Sequence, residues 1–534
     1  MELAPSVATP SPAQDCSAAV PAELLGARPP MGWNGYNAFQ CSTELDEAKL
    51  KANAEALIES GMRSAGYRYV NLDTCWQLPR TPDGQRVFVP EKLPSGIASL
   101  SEWLHARDLS FGMYSHIRDC FDMPGGEGYE EADAASYVDW GVDYLKYVNC
   151  GGPVSERAVS DLAGALARTK RPIVLSLAAP PFEEWMRDTA QLWRTSGEAL
   201  PTWGSITDAI DVTVPLAAYT RPGAFNDPDM LEIGNGALTE GEQRVQFSVW
   251  SILAAPLLAG NDLTVMSEPT RSILTNAQVI ALNQDPLALQ AALVRRDGEV
   301  EILAKPLAEC GARAVVLWNR GELSSDVSLK WQDLWLEPEP SAVRDLWQDS
   351  WVAATPEGFS VSVPGHDAIA LRVNGVEPPL PSGRVFLSDL RWTYATNGFG
   401  PFELDQSNGE NEALDGGPIR LRGAAYAKGL GVHGPSLIRY RLGQACTRFS
   451  AAVGIDDETD GRGSAQFEVW ADGERLFSSG VLTGTSAPVA VSVDVTGRRE
   501  LRLFVGVGGD GYELDHADWA DAMLECAPET DAVQ

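Results

Sequence analysis

The apolar positions between residues 29 and 290 fall into short runs separated by amphipathic stretches, a pattern typical of strands that alternate with helices. The predicted strands are PMGWN (30–34), YVNLD (69–73), SFGMYS (110–115), YLKYV (144–148), PIVLSL (172–177), QLWRTS (191–196), GAFND (223–227) and APLLAG (255–260). The predicted helices span 44–60, 98–107, 130–140, 155–169 and 239–254. Eight βα units in about 260 residues are typical of a (β/α)8 TIM barrel, which we predict for residues 29–291.

The pattern changes after residue 291 to short segments in which apolar and polar residues alternate. This alternation predicts an antiparallel β-domain over residues 292–375 and a β-sandwich over residues 385–527. The Pro- and Gly-rich residues 376–384 between them are predicted to be a linker. Residues 1–28 and 528–534 are predicted to be tails. The chain is therefore an α/β barrel followed by two β-domains.

Composition narrows the choice of partners. The chain has 534 residues, with 41 Lys and Arg against 74 Asp and Glu, so its formal net charge is −33. An acidic surface repels nucleic acid and anionic membranes, so neither is expected as a partner. No apolar run is long enough to cross a bilayer, so membrane insertion is not expected either.

The cysteines and the N-terminus bear on the cellular compartment. Eight cysteines occur without a spacing typical of metal sites, and they lie near the edges of predicted elements, which favours disulfides and an oxidising compartment. The first 16 residues have neither a basic start nor an apolar core, so they are not a signal peptide. They are typical of a mature chain whose export signal was removed, and we predict secretion.

Chemically useful side chains collect where the predicted barrel strands end, at the edge where barrels carry their active sites. These residues are Trp33, Asp73, Tyr114, His116, Lys146, Arg194, Glu198, Asp227 and Asp229. The alternative interpretation is that they are buried ion pairs and caps.

The barrel segments resemble those of family 27 glycoside hydrolases, the α-galactosidase and α-N-acetylgalactosaminidase group. The resemblance runs over residues 29–290 and is carried by RPPMGWNGYNAFQC (28–41), GYRYVNLDTCW (66–76), WGVDYLKYVNCGG (140–152), LWRTSGE (192–198) and PGAFNDPDML (222–231). It implies an exo-acting hydrolase for a terminal α-linked galactose-like sugar, galactose or N-acetylgalactosamine, with no cofactor in the barrel.

The C-terminal part resembles the NPCBM type of carbohydrate-binding module (family 51), through segments such as YAKGLGVHG (426–434) and GDGYELDHADWADAMLEC (509–526). The resemblance implies glycan binding. Its candidate residues are Trp392, Tyr394, Asn397, His433, Trp470, His516, Asp518 and Trp519, although the tryptophans are also typical of a core. A structural Ca²⁺ is a further hypothesis for the acidic loops, against solvated turns as the alternative. The loops carry Asp456, Asp457, Glu458, Asp510, Glu513 and Asp515.

The resemblance also predicts disulfides. Cys41 with Cys75, and Cys120 with Cys150, occupy positions that are disulfide-bonded in relatives. Cys446 and Cys526 bracket the module and are predicted to pair. The pairing of Cys16 and Cys310 stays open.

The catalytic residues depart from the family pattern. A retaining glycosidase needs a nucleophilic carboxylate and an acid/base about 5–5.5 Å apart. The family places its nucleophilic Asp at the end of the fourth strand, where this chain has Val148, which has no nucleophilic atom. The acid/base position keeps a carboxyl group as Glu198, which can act as an acid if burial raises its pKa. The alternative for Glu198 is an ion pair at the rim.

The other pocket positions are mixed. Those that match the family pattern are Trp33, Asp73, Tyr114, Cys120, Lys146, Arg194, Asp229 and Met230. We expect Trp33 to stack on a sugar face, and Asp73 and Lys146 to bind hydroxyls. Three further positions depart from it: Thr74 replaces a second Asp, Ala178 replaces a Glu beside C2 of the sugar, and His116 replaces an Asp.

Three hypotheses follow for such a pocket. It hydrolyses with inversion, with Asp73, Asp229 or His116 activating water; another residue has become the nucleophile; or the protein binds glycans without turnover. For His116 alone, the alternative is a structural, hydrogen-bonded histidine. We favour hydrolysis, with Glu198 as the acid/base.

Overall fold

The computed structural model describes residues 24–42, 45–120, 122–339, 341–509 and 511–528. Its first part is a sheet of eight parallel strands in the order β8-β1-β2-β3-β4-β5-β6-β7. The strands are β1 Met31–Asn34, β2 Tyr69–Leu72, β3 Ser110–His116, β4 Tyr144–Val148, β5 Val174–Ala178, β6 Leu192–Arg194, β7 Phe225–Asp227 and β8 Leu257–Ala259. A bridge between Leu231 and Ala259 joins the segment after β7 to β8. The predicted barrel is confirmed.

Eight helices of seven residues or more accompany this sheet in the described part of the chain. They are α1 Glu47–Glu59, α2 Ile97–His105, α3 Glu130–Asp139, α4 Glu156–Thr169, α5 Trp203–Thr213, α6 Glu240–Ile252, α7 Glu268–Leu274 and α8 Ala277–Asn283. Helix α1 begins after Asp46, whose side chain accepts a hydrogen bond from the amide of Lys49. It ends before Gly61, whose φ of 89° favours glycine.

The barrel core has two layers. Outside the strands, the apolar faces of the helices are buried against the sheet; Leu50, Ala54 and Leu57 of α1 have no exposed surface. Inside the ring, Tyr144, Val174, Leu192 and Phe225 pack together. Each buried Leu stabilises the fold by about 2 kcal/mol relative to an exposed one, so these layers hold the strand ends in place.

The second part is an antiparallel β-domain. Its strands are β9 Ala292–Asp297, β10 Val300–Pro306, β11 Ala312–Asn319, β12 Ser325–Lys330, β13 Ala342–Asp345, β14 Ser350–Val352, β15 Gly358–Val363 and β16 Ala368–Asn374. Six form a sheet in the order β9-β10-β11-β16-β13-β14, and β12 pairs with β15. Val315, Leu317 and Trp331 are buried between these sheets.

The third part is a sandwich of two antiparallel sheets, as predicted. Its strands are β17 Arg384–Phe386, β18 Tyr394–Thr396, β19 Glu403–Leu404, β20 Arg420–Leu421, β21 Ala424–Ala425, β22 Gly429–His433, β23 Ser436–Arg441, β24 Cys446–Ile455, β25 Ser464–Ala471, β26 Glu474–Thr483, β27 Val489–Asp494, β28 Glu500–Gly506 and β29 His516–Cys526. One sheet has the order β19-β22-β29-β24-β27, with β17 beside β29, and the other has the order β18-β23-β28-β25-β26. Phe449 and Phe467 pack on Trp519 between the sheets.

The sandwich is packed against the barrel. Arg187 of the barrel donates to Glu468 of the sandwich at 2.8 Å, with both side chains buried. The hydroxyl of Tyr394 donates to the carbonyl of Gln290 at 2.9 Å. Phe504 of β28 contacts Tyr219 of the barrel. Tyr394 therefore anchors the sandwich to the barrel. It has no exposed surface that a glycan could contact in this structure.

The segment predicted to be a linker is held by an ion pair. Both oxygens of Glu377 accept hydrogen bonds from the guanidinium of Arg313, at 2.8 and 3.0 Å. Although burial opposes ionisation, Arg313 lowers the pKa of Glu377 to about 2. The chain between the two β-domains is therefore anchored at this residue.

The three predicted disulfides are present. They join Cys41 to Cys75, Cys120 to Cys150 and Cys446 to Cys526. Cys310 is also disulfide-bonded, while Cys16 lies outside the described residues. Among the described residues, no helix has the length and apolar character needed to span a membrane.

Candidate functional site

Asp73 forms the centre of one half of the site. It directly follows β2 and is buried. Its Oδ2 accepts hydrogen bonds from Asn34 Nδ2 at 2.7 Å and from Lys146 Nζ at 3.1 Å. Its Oδ1 accepts from the amide of Thr74 at 2.8 Å. These donors fix the orientation of the carboxylate towards the middle of the strand ring.

Lys146 projects from β4 beside two tyrosines that frame the same space. Its Nζ lies 5.8 Å from the ring centre of Tyr36 and 5.7 Å from that of Tyr114. Burial lowers the pKa of Lys146, but the carboxylates of Asp73 and Asp229 raise it more, so the net shift is upward. The ammonium group therefore stays charged and can donate to a hydroxyl.

Tyr36 was not identified from the sequence. It lies in a single helical turn after β1, and burial raises the pKa of its hydroxyl, with further contributions from Glu198 and Asp73. These couplings place Tyr36 among the charged groups of the site. Only its position just after a barrel strand could have indicated it.

Arg194 organises the second half of the site. It ends β6 and donates to Glu198 Oε1 at 3.0 Å and to Asp229 Oδ1 at 2.9 Å. Asp229 is buried, and its second oxygen accepts from the amide of Ala199 at 2.9 Å. The Glu198 side chain is 57% exposed. One guanidinium thus holds a buried and an exposed carboxylate side by side.

Two further acidic residues, Asp227 and Glu232, lie close to Asp229 in the sequence. Asp227, at the end of β7, accepts from the amide of Asp229, and burial together with the Asp229 charge raises its pKa to about 6. Glu232 bonds Asn37 and Asn235, and burial raises its pKa to about 7. Sequence reasoning missed Glu232, although it lies only three residues after Asp229.

Glu198 lines a cleft of about 660 Å³, together with Tyr36, Glu232 and Asn261. A ligand in this cleft can reach the exposed carboxylate of Glu198. The arrangement suits proton transfer to or from a bound group, because a positioned carboxyl at the mouth of a cleft is the usual acid/base of a glycosidase.

The residues that depart from the family pattern lie on four neighbouring strands. Thr74 follows β2, His116 ends β3, Val148 ends β4 and Ala178 ends β5. Val148 pairs in register with His116 on one side and with Ala178 on the other. The structure therefore brings these substitutions to neighbouring strand ends, and β5 is in turn the neighbour of β6, which ends in Arg194.

His116 is a neutral, buried imidazole. It has no exposed surface, its ring meets that of Tyr114 edge-on at 4.8 Å, and neither ring nitrogen has a hydrogen-bond partner within the described ranges. Burial lowers its pKa to about 4, and the Arg86 charge adds to the shift. The nearby Cys120 and Cys150 are bonded to each other, so they do not make a metal site with His116.

Two predicted sugar-binding residues lie in the wall of the site. Trp33 has no exposed surface, and its indole donates to the carbonyl of Asn261 at 2.8 Å. Met230 is also buried. In this structure the Trp33 ring faces protein atoms, so its stacking on a sugar stays a prediction.

The glycan candidates of the C-terminal module are mostly covered. Trp519, His433, His516 and Asp518 are buried. The ring of Trp392 packs on Phe402 at 4.7 Å, and Trp470 donates to Glu468 beside the barrel. Asn397 Oδ1 accepts from the amide of His433. Glycan binding by these residues stays a prediction.

The proposed calcium ligands have other partners. Asp456 accepts from the amides of Glu458 and Arg420, and Asp457 accepts from those of Arg422 and Gly423. Asp515 accepts from the amide of Ser464, and Glu513 is exposed. Asp510 lies outside the described residues. The calcium hypothesis stays a prediction.

Three family matches cover the three parts of the chain. Residues 28–285 match the family described as alpha galactosidase A, and residues 297–373 match the alpha galactosidase C-terminal beta sandwich domain. Residues 383–525 match the NPCBM/NEW2 domain.

Individual proteins agree with these matches. Alpha-galactosidase 2 of Arabidopsis thaliana is 39% identical over 352 residues, which are 64% of this chain and 88% of the relative. Alpha-galactosidase I of Mortierella vinacea has a solved structure that superposes with a TM-score of 0.63 at 29% identity, covering 67% of this chain and all of that one. The α-galactosidase of Saccharomyces cerevisiae, solved with raffinose, gives 0.59 at 25% identity and covers 66% of this chain and 98% of that one.

Proposed function

This chain belongs to the α-galactosidase family of glycoside hydrolases, and we propose that it releases a terminal α-linked galactose-like sugar by direct attack of water, with inversion at the anomeric carbon. The observation that carries the proposal is the division of the site. Arg194 joins two carboxylates, Glu198 and Asp229, which follow β6 and β7. The three strands before β6 end in residues without a carboxylate, His116, Val148 and Ala178.

Glu198 is the proposed general acid. It is the exposed member of the Arg194 cluster, and it faces the cleft. A bound sugar would cover its carboxyl and exclude water from it. The proton passes to the leaving oxygen as the glycosidic bond breaks.

His116 is the proposed base for the attacking water. Of the three candidates, Asp73 and Asp229 use both carboxylate oxygens for hydrogen bonds, whereas both nitrogens of His116 lack hydrogen-bond partners in the described part of the chain. A conjugate acid with a pKa of about 4 makes this imidazole as strong a base as an ordinary aspartate.

The position of His116 also suits inversion. In the family pattern the second carboxylate ends β4, whereas His116 ends β3, one strand farther from Glu198. Neighbouring strands are about 4.8 Å apart. Inverting pairs are separated by about 6.5–9.5 Å, against 5–5.5 Å in retaining pairs, to leave room for water. The shift of one strand therefore widens the pair in the required direction.

The sugar hydroxyls are proposed to bind Lys146 and Asp73, whose side chains are hydrogen-bonded to each other at 3.1 Å. The relative solved with raffinose supports a galactose-containing substrate. We further propose that the short side chain of Ala178, where the family pattern has a Glu, admits a 2-acetamido group on the sugar. Hydrolysis of an aryl α-galactoside and of an aryl α-N-acetylgalactosaminide, measured as release of the aryl group, tests both sugars.

Glu198→Gln is the decisive variant, with Glu156→Gln on the exposed first turn of α4 as its matched control. We expect kcat on these aryl glycosides to fall about 100-fold or more for Glu198→Gln and to be unchanged for the control. Proton NMR of the first anomer released should show the β-sugar. A first-formed α-anomer would contradict inversion, and glycan binding without any turnover would favour the non-hydrolytic binding protein instead.

We also propose that the protein works in an oxidising, extracellular compartment. The disulfides of the barrel and of the sandwich support this location, because such bonds persist where thiols are not kept reduced. Fractionation of the native host into medium and cell extract, followed by detection of the chain, tests it.

A further inference from the structure

Two of the five histidines in the chain meet in the C-terminal sandwich, far along the sequence from the barrel site. His433 ends β22 and His516 begins β29, and the two residues pair directly across these antiparallel strands. Their ring centres are 5.4 Å apart. Glu410, in the loop after β19, completes a group whose nitrogen and carboxylate oxygen atoms lie within 4.8 Å of one another.

The outer partners of both imidazoles contact Nδ1, and Nε2 of each ring lies on the side of Glu410. Nδ1 of His433 contacts the carbonyl of Gly434 at 2.9 Å, so Nδ1 must carry the proton. In the neutral ring, Nε2 of His433 then has a lone pair that can bind a metal. Nδ1 of His516 contacts Glu458 Oε1 at 2.6 Å. A histidine that binds a metal typically donates its other N–H to a carbonyl or a carboxylate. Both partner types are present here.

The inner atoms converge on one side. Nε2 of His516 lies 2.7 Å from Glu410 Oε1, and Nε2 of His433 lies 3.9 Å from the same oxygen. The His433 and His516 side chains are 5% and 11% exposed, whereas Glu410 is 36% exposed. The group is thus a buried pair of nitrogens with a carboxylate at its solvent side.

The backbone conformation of Glu410 is unusual for a residue with a side chain. Its φ is 71°, which lies in the left-handed region that residues other than glycine rarely adopt. The loop places the carboxylate of Glu410 against the two histidines.

We propose that His433, His516 and Glu410 form a binding site for a divalent transition metal of the zinc type. Two imidazole nitrogens and one carboxylate are the donors that Zn²⁺ takes, whereas Ca²⁺ takes oxygen ligands alone. The metal replaces the proton between His516 Nε2 and Glu410. Three protein ligands leave a fourth position, on the exposed side of Glu410, for water or a ligand.

The site is separate from the proposed reaction. It uses none of the barrel residues, and its test measures metal binding instead of hydrolysis, so each proposal can fail without the other. Full-length protein is stripped with a chelator and titrated with ZnCl₂ by calorimetry. CoCl₂ is added to a second sample, because Co²⁺ in a low-coordinate nitrogen and oxygen site gives visible absorption.

We expect one Zn²⁺ per chain. Glu410→Gln changes a partly exposed side chain, so it should fold normally and weaken binding by more than about 100-fold, as His516→Ala should. Glu458→Gln removes only an outer partner and should weaken binding by about 10–100-fold. His105→Ala is the matched control, because His105 contacts a single carboxylate, Asp143, at 2.7 Å.

Several results would overturn the proposal. They are the absence of Zn²⁺ binding, equal affinity in the parent and in Glu410→Gln, loss of binding in His105→Ala, and binding of Ca²⁺ in preference to Zn²⁺. Circular dichroism of each variant without metal checks that folding is unchanged.

Discussion

At the scale of single residues, the neighbours of Val148 determine what a substitution there can do. Val148 is half-buried between His116 and Ala178, and Lys146 lies two residues before it on the same strand. A carboxylate at this position would end β4, two strands from β6 with its Arg194, where the family pattern places its nucleophile. Lys146 matches the family pattern, whereas the two residues that pair with Val148, His116 and Ala178, depart from it.

Val148→Asp should change the stereochemical course of hydrolysis. The new carboxylate can attack the anomeric carbon, so we expect the first product to become the α-anomer and a fluorosugar to form a covalent adduct detectable by mass spectrometry. Val481→Asp, on an exposed position of the sandwich, is the control and should leave the β-anomer as product. An unchanged β-product in Val148→Asp would argue that this strand end does not face the sugar.

The proposed role of His116 predicts an acidic limit to activity. Its pKa is lowered to about 4, so the imidazole is neutral and able to accept a proton above that pH and is charged below it. We expect kcat/KM to fall as the pH is lowered through about 4. His116→Gln should lower the rate above pH 5 by about 100-fold and abolish this limb of the profile. A parent-like rate and profile in the variant would assign His116 a structural role.

At the scale of elements, the sandwich depends on one long-range covalent bond. Cys446 begins β24 and Cys526 ends β29, and the two residues pair in register. The bond closes a loop with a sequence separation of 80 residues. A loop of this length restricts the unfolded chain strongly, so the bond should contribute about 4.5 kcal/mol to stability.

Replacement of both Cys446 and Cys526 by Ala should therefore lower the denaturant midpoint of the sandwich. Tryptophan fluorescence in urea, compared with the matched Cys41→Ala/Cys75→Ala variant of the barrel, measures the change. We expect the first variant to weaken the sandwich and the second to weaken the barrel. Equal midpoints for the parent and the first variant would show that the strand pairing alone stabilises the sandwich.

At the scale of the whole molecule, buried polar contacts join the sandwich to the barrel. Glu468 has almost no exposed surface and accepts from Arg187 of the barrel, and also from Arg475 and Trp470 of its own domain. The amide of Val507 adds a further bond from the sandwich, to Glu184 of the barrel. Such buried pairs fix the relative position of two domains more firmly than a flexible linker would.

Arg187→Met should uncouple the two parts. It leaves Glu468 buried with fewer cationic partners, a change that typically costs about 3–5 kcal/mol. We expect calorimetry to resolve separate transitions and proteolysis to release the sandwich. Arg168→Met, which removes an exposed ion pair with Glu131, should change nothing measurable. A single, unshifted transition in Arg187→Met would mean that the apolar contacts around Phe504 are sufficient for docking.

Much of the fold could be predicted from the chain alone, because the period of the apolar residues directly reflects the element that buries them. Each of the eight predicted apolar runs overlaps an observed barrel strand, and six of them contain it entirely. Tyr394 shows where this reasoning stops. It was a candidate for glycan binding as an aromatic residue in a β-module, yet it bonds Gln290, 104 residues earlier in the chain. Nothing local to Tyr394 indicates that contact.

The sequence by itself determined that a valine, which has no nucleophilic atom, stands at position 148, because the chemistry of a side chain does not depend on the fold. Which residues surround the site was decided only by the tertiary structure. Lys146 meets Asp73 from 73 positions away, and His433 meets His516 across two strands. Those contacts depend on strand register and barrel closure, which arise from packing over the whole chain and leave no signature in any short stretch of it.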